Sequence, residues 1–283
     1  MSTFKVAALQ MRSTTSLERN VDAFEALVRD AAAQGAIYVQ SPEMTGALVR
    51  DRDSLKAMLR SEGDDPVALK AAALARELGI VVHVGSTAIA RPDGKVANRG
   101  FLFDTDGTKL ATYDKIHMFD VDLDKGESWR ESATYQPGTQ AVVVDLPFAR
   151  LGMGVCYDVR FPQLFRAQAL AGAQILTMPA AFTRQTGEAH WHVLQRARAI
   201  ENGAFVISAA QGGLHEDGRE TYGHSIIIDP WGRVLAEADH DEPVVVVAEI
   251  DIAASAQARG KVPNLKNARQ FEVELVRARE TAS

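Results

Sequence analysis

The chain has a single cysteine among 283 residues. No internal disulfide can staple it, so a reducing compartment is the expected home, and the cytoplasm is the assignment made here. No apolar run approaches the roughly 20 residues that a membrane-spanning helix requires. The opening stretch, Met1-Ser-Thr-Phe-Lys-Val-Ala-Ala-Leu-Gln10, lacks the charged-then-apolar pattern of a signal peptide. Positive charge is in deficit, with 31 Lys and Arg against 37 Asp and Glu and a net charge of −6. With no basic run to offset that balance, a nucleic-acid partner is excluded. Linkers, low-complexity stretches and repeats of 20–50 residues are also missing, so one domain over 1–283 is expected, with about 252–283 forming a C-terminal helix and tail. His190 and His192 stand two apart near a helix start, a spacing that points the two rings to different sides, and no metal site or cofactor is expected.

What is present is alternation. Phe4–Gln10 is an apolar run of strand length, and Thr15-Ser-Leu-Glu18 forms a capping box before a helix with Leu17, Val21, Phe24, Leu27 and Ala31 at helical spacing. Strands follow at 37–40 and 80–86, with a helix at 66–78 between them that carries proline at its start and Gly79 past its end. That order implies parallel pairing. Thr-Asp-Gly-Thr between 98–104 and 109–113 marks a hairpin, and 114–138 is a long polar segment of the kind usually kept for function. The pair 140–146 and 150–156 precedes a second alternation: helix 161–171, strand 174–178, helix 189–202, strand 204–210. A hairpin at 225–237 and a strand at 243–250 end the pattern. Hairpins joined to βαβ units suggest two mixed sheets instead of one parallel sheet.

Cys156 ends the strand-like run Leu151-Gly-Met-Gly-Val-Cys156 and precedes a helix with Pro162 near its start. Free N–H groups and the dipole at a helix start would favour a thiolate there, although many lone cysteines are inert core residues. At neutral pH the thiol needs a base or a cation. Among the histidines, His117 in the polar segment is the best-placed base, His83 reads as a sheet residue and His224 as a structural donor. Glu43, in Ser41-Pro-Glu43, and Lys115, in Tyr-Asp-Lys115-Ile-His, each follow a strand at the end where ligands collect in α/β folds.

These residues carry a resemblance. Ser41-Pro-Glu43, Asp114-Lys115-Ile-His117 and Gly154-Val-Cys156-Tyr-Asp-Val-Arg160-Phe-Pro162 are similar to the motifs of the nitrilase, or carbon–nitrogen hydrolase, superfamily. The likeness runs from the first strand to Pro243 and implies a four-layer αββα sandwich of two mixed sheets with a Glu–Lys–Cys triad. Within the superfamily the sequence is most similar to the Nit branch of amidases, through Ala180-Ala-Phe-Thr-Arg-Gln-Thr-Gly-Glu-Ala-His-Trp191, Arg196-Ala-Arg-Ala-Ile-Glu201, and Tyr222-Gly-His-Ser225 with Asp229-Pro-Trp-Gly232. That branch includes deaminated-glutathione amidase and ω-amidase.

The resemblance implies a cysteine amidohydrolase that passes through a thioester on Cys156. Glu43 would be the base and Lys115 with the Tyr157 N–H the oxyanion donors, and Glu131 would be a positioning group. Closing the gap of about 4 pKa units between an ordinary Cys and Glu would need burial to raise Glu43, and Lys115 with the helix start to lower Cys156. The implied substrate is a small carboxylate or keto-acid ω-amide such as deaminated glutathione. α-Ketoglutaramate, an N-carbamoyl amine or a nitrile are the alternatives on the same triad, and a non-enzymatic binding module is disfavoured by the intact triad. Arg160, Thr183 and Thr186 are the candidates for holding the substrate carboxylate. Gln40-Ser41, where many relatives carry apolar residues, is expected to touch the pocket lining. A homodimer or higher homo-oligomer through the helices near 161–172 and 189–202 is expected by analogy.

Overall fold

A computed structural model describes residues 2–124 and 127–277. The first half runs β1 (Thr3–Gln10), α1 (Leu17–Ala33), β2 (Ala36–Gln40), α2 (Arg52–Met58), α3 (Pro66–Leu78), β3 (Val81–Ala90), β4 (Val96–Phe103) and β5 (Lys109–Asp114). A small hairpin, β6 (Asp120–Asp122) with β7 (Ser128–Arg130), fills the long polar segment. The second half runs β8 (Val142–Asp145), β9 (Arg150–Met153), α4 (Pro162–Leu170), β10 (Ile175–Thr177), α5 (Arg184–Asn202), β11 (Phe205–Ser208), β12 (Gly212–Leu214), β13 (Glu220–Tyr222), β14 (Ile226–Ile228), β15 (Val234–Glu237) and β16 (Val244–Asp251). Helices α6 (Ala253–Lys261) and α7 (Asn264–Asn267) close the regular structure.

The described strands form two six-stranded sheets, in the orders β16-β1-β2-β3-β4-β5 and β15-β14-β11-β10-β9-β8. Read from β16 in one and from β8 in the other, successive pairings are antiparallel, parallel, parallel, antiparallel, antiparallel in both. The same arrangement is thus built twice, although no repeat is visible in the residues. Strand periodicity sets the layers. On β1, Val6 and Ala8 face the second sheet, while Ala7 and Leu9 pack with Phe24 and Val28 of α1 and Ala71 and Leu74 of α3. On the far side Phe165 of α4 and Trp191 and Ala199 of α5 cover the second sheet. The layers are therefore helix, sheet, sheet, helix, and the αββα expectation holds.

Local signals explain most boundaries. Asp65 caps α3 by accepting from Ala68 N, and Gly79 closes it in the left-handed region. Two expectations change. The α1 cap is Ser16, which accepts from Arg19 N, so the box anchored on Thr15 is displaced by one residue. Helix α5 begins at Arg184, five residues before the expected start, because Thr183 supplies an N-cap that accepts from Thr186 N. Helix α2 and the β12–β13 hairpin have no counterpart in the sequence reading.

Candidate active site

The turn after β2 places Glu43. Ser41 N donates to His83 O, Thr45 N to Ser86 O and Met44 N to Ser86 Oγ, which staples the turn to β3. A β-bulge between Val84 and Thr87 makes room, and Gly85 is required there. A Cβ on Gly85 would lie 2.2 Å from the Ser41 carbonyl oxygen. Met44 accepts a positive φ of 56° to turn the chain. Gln40 and Ser41, expected near the pocket lining, instead knit the fold. Gln40 Oε1 accepts from Ala209 N across the sandwich at 2.9 Å, and Ser41 Oγ pairs with Thr45 Oγ1 at 2.7 Å. Both side chains are buried away from the cavity, satisfying backbone groups where the two sheets meet.

Four predicted residues come together. Lys115, just past β5, is almost fully buried, and its Nζ donates to Glu43 Oε1 at 2.9 Å and to Glu131 Oε1 and Oε2 at 3.0 and 2.8 Å. Glu43 Oε2 accepts from Ala181 N at 2.9 Å, and Glu131 Oε2 from Phe119 N at 2.7 Å. The Cys156 thiol lies beside the Glu43 carboxylate, near enough for each to perturb the other's titration. Sequence reasoning missed Asn98, whose Nδ2 donates to Glu43 Oε1 at 2.9 Å and to Glu131 Oε1 at 3.1 Å. An amide inside the apolar run of β4 was the available signal, since a buried polar group requires partners.

The elbow at Cys156 is strained. Its φ is +50°, outside the common range for a residue with a Cβ. The Cys156 N–H donates to Pro179 O at 2.8 Å, and a 3-10 turn runs from Cys156 to Arg160. Tyr157 N–H therefore falls in a first turn, where helical geometry supplies no acceptor. Asp158, fully buried, pins the turn: its carboxylate accepts from Val155 N, from Tyr113 OH and from His117 N and Nδ1. His117 is thus engaged by Asp158 and stacked on Phe161 at 3.6 Å, so its polar contacts are to Asp158 and not to the thiol. His83 hydrogen-bonds to Tyr38 OH inside the first sheet, and burial takes its pKa down to about 3.

Burial is the largest influence on Glu43 and pushes its carboxyl up, but Lys115, Cys156 and Asn98 together outweigh it and hold the pKa below the ordinary 4.5. Burial and the Glu43 charge push Cys156 well above its ordinary value, and the two facing carboxylates, against the cost of burial, hold Lys115 well above its own. This reverses the expected directions for Glu43 and Cys156. The ammonium is shared by two carboxylates, which leaves little of its field for the sulfur. The resting pair is a thiol beside a carboxylate. A depressed folded-state pKa stabilises the fold above the unfolded value and loses that contribution as pH falls. The wild type should therefore melt above a Glu43→Gln variant at pH 7, with the gap shrinking below about pH 4.5; a pH-independent gap in calorimetry would contradict the ion pairing.

A cavity of about 380 Å³ opens onto the cluster and is lined by Arg160, Thr183 and Thr186 among others. Arg160 makes no ion pair among the described residues. Its guanidinium lies over Tyr157 and Phe182 at 5.8 and 5.3 Å and contacts His190 Nδ1 at 3.2 Å. Thr183 and Thr186 hydroxyls lie 2.9 Å apart and serve the α5 cap, so only part of their bonding capacity faces the cavity.

A sandwich of two mixed sheets with a buried thiol, carboxylate and ammonium at strand ends defines the class of carbon–nitrogen hydrolases. The family profile for carbon–nitrogen hydrolase matches residues 5–260, and the chain belongs to that family. It is 38% identical to deaminated glutathione amidase of Yersinia enterocolitica, over 95% of this chain and 94% of that one. It is 34% identical to omega-amidase NIT2 of Homo sapiens, over 97% and 99%. Among solved structures, the C. elegans NitFhit protein superposes with a TM-score of 0.85 at 34% identity, over 94% of this chain and 65% of that longer one. A glutamate-to-glutamine mutant of the amidase from Nesterenkonia sp. AN1, with the acetamide moiety of fluoroacetamide added covalently at the active site cysteine, matches with a TM-score of 0.74 at 27% identity, over 90% and 92%. The Nit-branch resemblance read from the motifs stands, and the protein is an amidase, a hydrolase of carbon–nitrogen bonds other than peptide bonds.

Proposed function

We propose that Cys156, Glu43 and Lys115 catalyse hydrolysis of a small ω-amide bearing a carboxylate, of which deaminated glutathione is the favoured example. The observation that carries the reading is the buried contact of Lys115 with Glu43 at 2.9 Å beside the strained Cys156, at the base of a cation-lined cavity. Glu43 takes the thiol proton as Cys156 Sγ attacks the amide carbon. Because the resting proton sits on sulfur, its transfer is coupled to attack and is drawn by the oxyanion forming between Lys115 Nζ and Tyr157 N–H. Glu43 then gives that proton to the nitrogen as the C–N bond breaks, which leaves a thioester. Water adds to the thioester carbon, its proton passes to Glu43 and returns to the departing sulfur, and the acid leaves. Glu131, touching Lys115 and the Phe119 amide, is a positioning residue.

An arginine-rich lining favours an anionic amide over an aliphatic nitrile, and Arg160, which pairs with no carboxylate among the described residues, is the proposed partner for the acyl-side carboxylate. Two relatives named for deaminated glutathione and ω-amide hydrolysis support the same class. The test is a panel of deaminated glutathione, α-ketoglutaramate, N-carbamoyl-β-alanine and an aliphatic nitrile, with release of Cys-Gly or ammonia measured. Deaminated glutathione is expected to have the highest kcat/KM; preference for the nitrile or carbamoyl substrate would overturn the assignment.

We also propose self-association through the outer face of α4 and α5. Leu170, Val193 and Ile200 are 62%, 69% and 51% exposed there, more apolar surface than an isolated helix face usually presents to water. Light scattering should give a mass of at least twice 30.7 kDa; a monomer at micromolar concentration would refute this.

A further inference from the structure

The cavity carries a charge that its catalytic cluster does not account for. Among the described lining residues six are cationic and two are acidic, an excess of four positive charges in a chain of net −6. Glu43 and Glu131 both belong to Lys115; of the five arginines, Arg130 pairs with Asp122 and Arg219 with Asp217, while Arg50, Arg52 and Arg160 make no ion pair among the described residues. Arg50, Arg160 and Arg219 stand at two separate places. An aromatic wall runs from Trp129 to Phe119 at 6.5 Å and on to Tyr157 at 5.1 Å. Arg160 lies over Tyr157 at one end, and at the other Trp129 carries two guanidiniums, Arg219 at 4.8 Å and Arg50 at 5.2 Å.

The two ends differ in what holds them. Arg50 is exposed, and among the described residues it makes no ion pair or hydrogen bond, so its charge is available. Arg219 is half-buried, pairs with Asp217 at 3.1 Å and keeps its Nε buried without a partner. Lying over the indole holds both guanidiniums in place, and Arg50 keeps its N–H edge open to a ligand. The side of the cavity also matters. Trp129 stands two residues before Glu131, whose carboxylate shares Lys115 with Glu43, so Arg219 is on the side of the carboxylate that protonates the leaving nitrogen. Arg160 ends the turn that begins at Cys156 and so is on the side of the sulfur.

We infer that Arg50 and Arg219, held on Trp129, bind a carboxylate carried by the leaving amine, so that the preferred substrate has a carboxylate on each side of its scissile amide. This rests on the proposed amidase reading and narrows it. A monoanionic ω-amide that releases ammonia would use only the Arg160 end, whereas an amide of an acidic peptide-like amine would use both.

The experiment compares deaminated glutathione with the same molecule whose terminal glycine carboxylate is converted to a carboxamide, with α-ketoglutaramate as a third substrate. In the wild type the carboxylate form should exceed the carboxamide form by about tenfold or more in kcat/KM, the effect of a charge-assisted contact. Arg50→Gln and Arg219→Gln should each reduce that ratio several-fold, mostly through KM. Arg50 has no polar partner, so its variant folds even if removal of Arg219 disturbs the Asp217 turn. A wild-type ratio near one, or variants that lower both forms equally, would overturn the inference while leaving the amidase reading intact. Hydrolysis of none of the three substrates by the wild type would overturn that reading itself.

Discussion

Cys156→Ala should lower amide hydrolysis by about ten-thousand-fold or more while leaving the melting temperature within a few degrees of wild type. The scheme has no other nucleophile, since Cys156 is the only cysteine and the best-placed histidine, His117, is engaged by Asp158. Removing the attacking atom from a unit that works together abolishes nearly all of its effect, and what survives reflects binding and the oxyanion donors alone. The sulfur itself adds little to packing, and alanine at φ +50° strains the elbow no more than cysteine does. A serine variant tests the same point more severely, because an alkoxide is far harder to form beside a carboxylate whose pKa is already depressed. Steady-state rates and mass spectrometry of the acyl-enzyme are the measurements. Loss of less than about a hundredfold in Cys156→Ala, with no trapped thioester in the wild type, would sink the nucleophilic scheme.

Lys115→Met should cost both stability and rate. The ammonium is 2% exposed and contacts three carboxylate oxygens at 2.8–3.0 Å. Without it Glu43 and Glu131 would share one buried amide, Asn98 Nδ2, with no cation between them. One carboxyl must then take a proton, and removing one partner of a buried ion group typically costs about 3–5 kcal/mol. Loss of an oxyanion donor removes about two to three further orders of magnitude from kcat. The two effects can be separated. Adding Glu131→Gln to Lys115→Met should recover much of the stability, because only one carboxylate then remains, but none of the rate, because the oxyanion donor is still missing. Additive stability losses in that cycle would mean that the three groups do not act as one ion cluster. A Lys115→Met enzyme as stable as wild type would overturn the account of the site.

Much of the site was legible because strand ends are legible. Glu43, Lys115 and Cys156 each follow an apolar run, and chemistry in α/β folds gathers at such ends. Glu131 came only through resemblance, since nothing in Arg130-Glu131-Ser132 separates it from a solvated acid. Asn98, Asp158 and Arg219 could not be assigned from the chain alone. Their roles depend on what lies across a sheet or beyond a hairpin, and a single polar residue in a strand carries no mark of its partner.

The residues by themselves determined most of the element types, the alternation that builds two mixed sheets, and the motif set that identifies a carbon–nitrogen hydrolase. These follow from local periodicity, capping chemistry and short motifs, which need no knowledge of distant contacts. Tertiary structure alone decided where the protons rest. It set one ammonium between two carboxylates, so that the thiol stays protonated beside an ionised Glu43. It also put arginines at both ends of an aromatic wall contributed by two separate segments of the chain. Charge and proton position depend on distances across the fold, and those distances come into being only when the sheets pack.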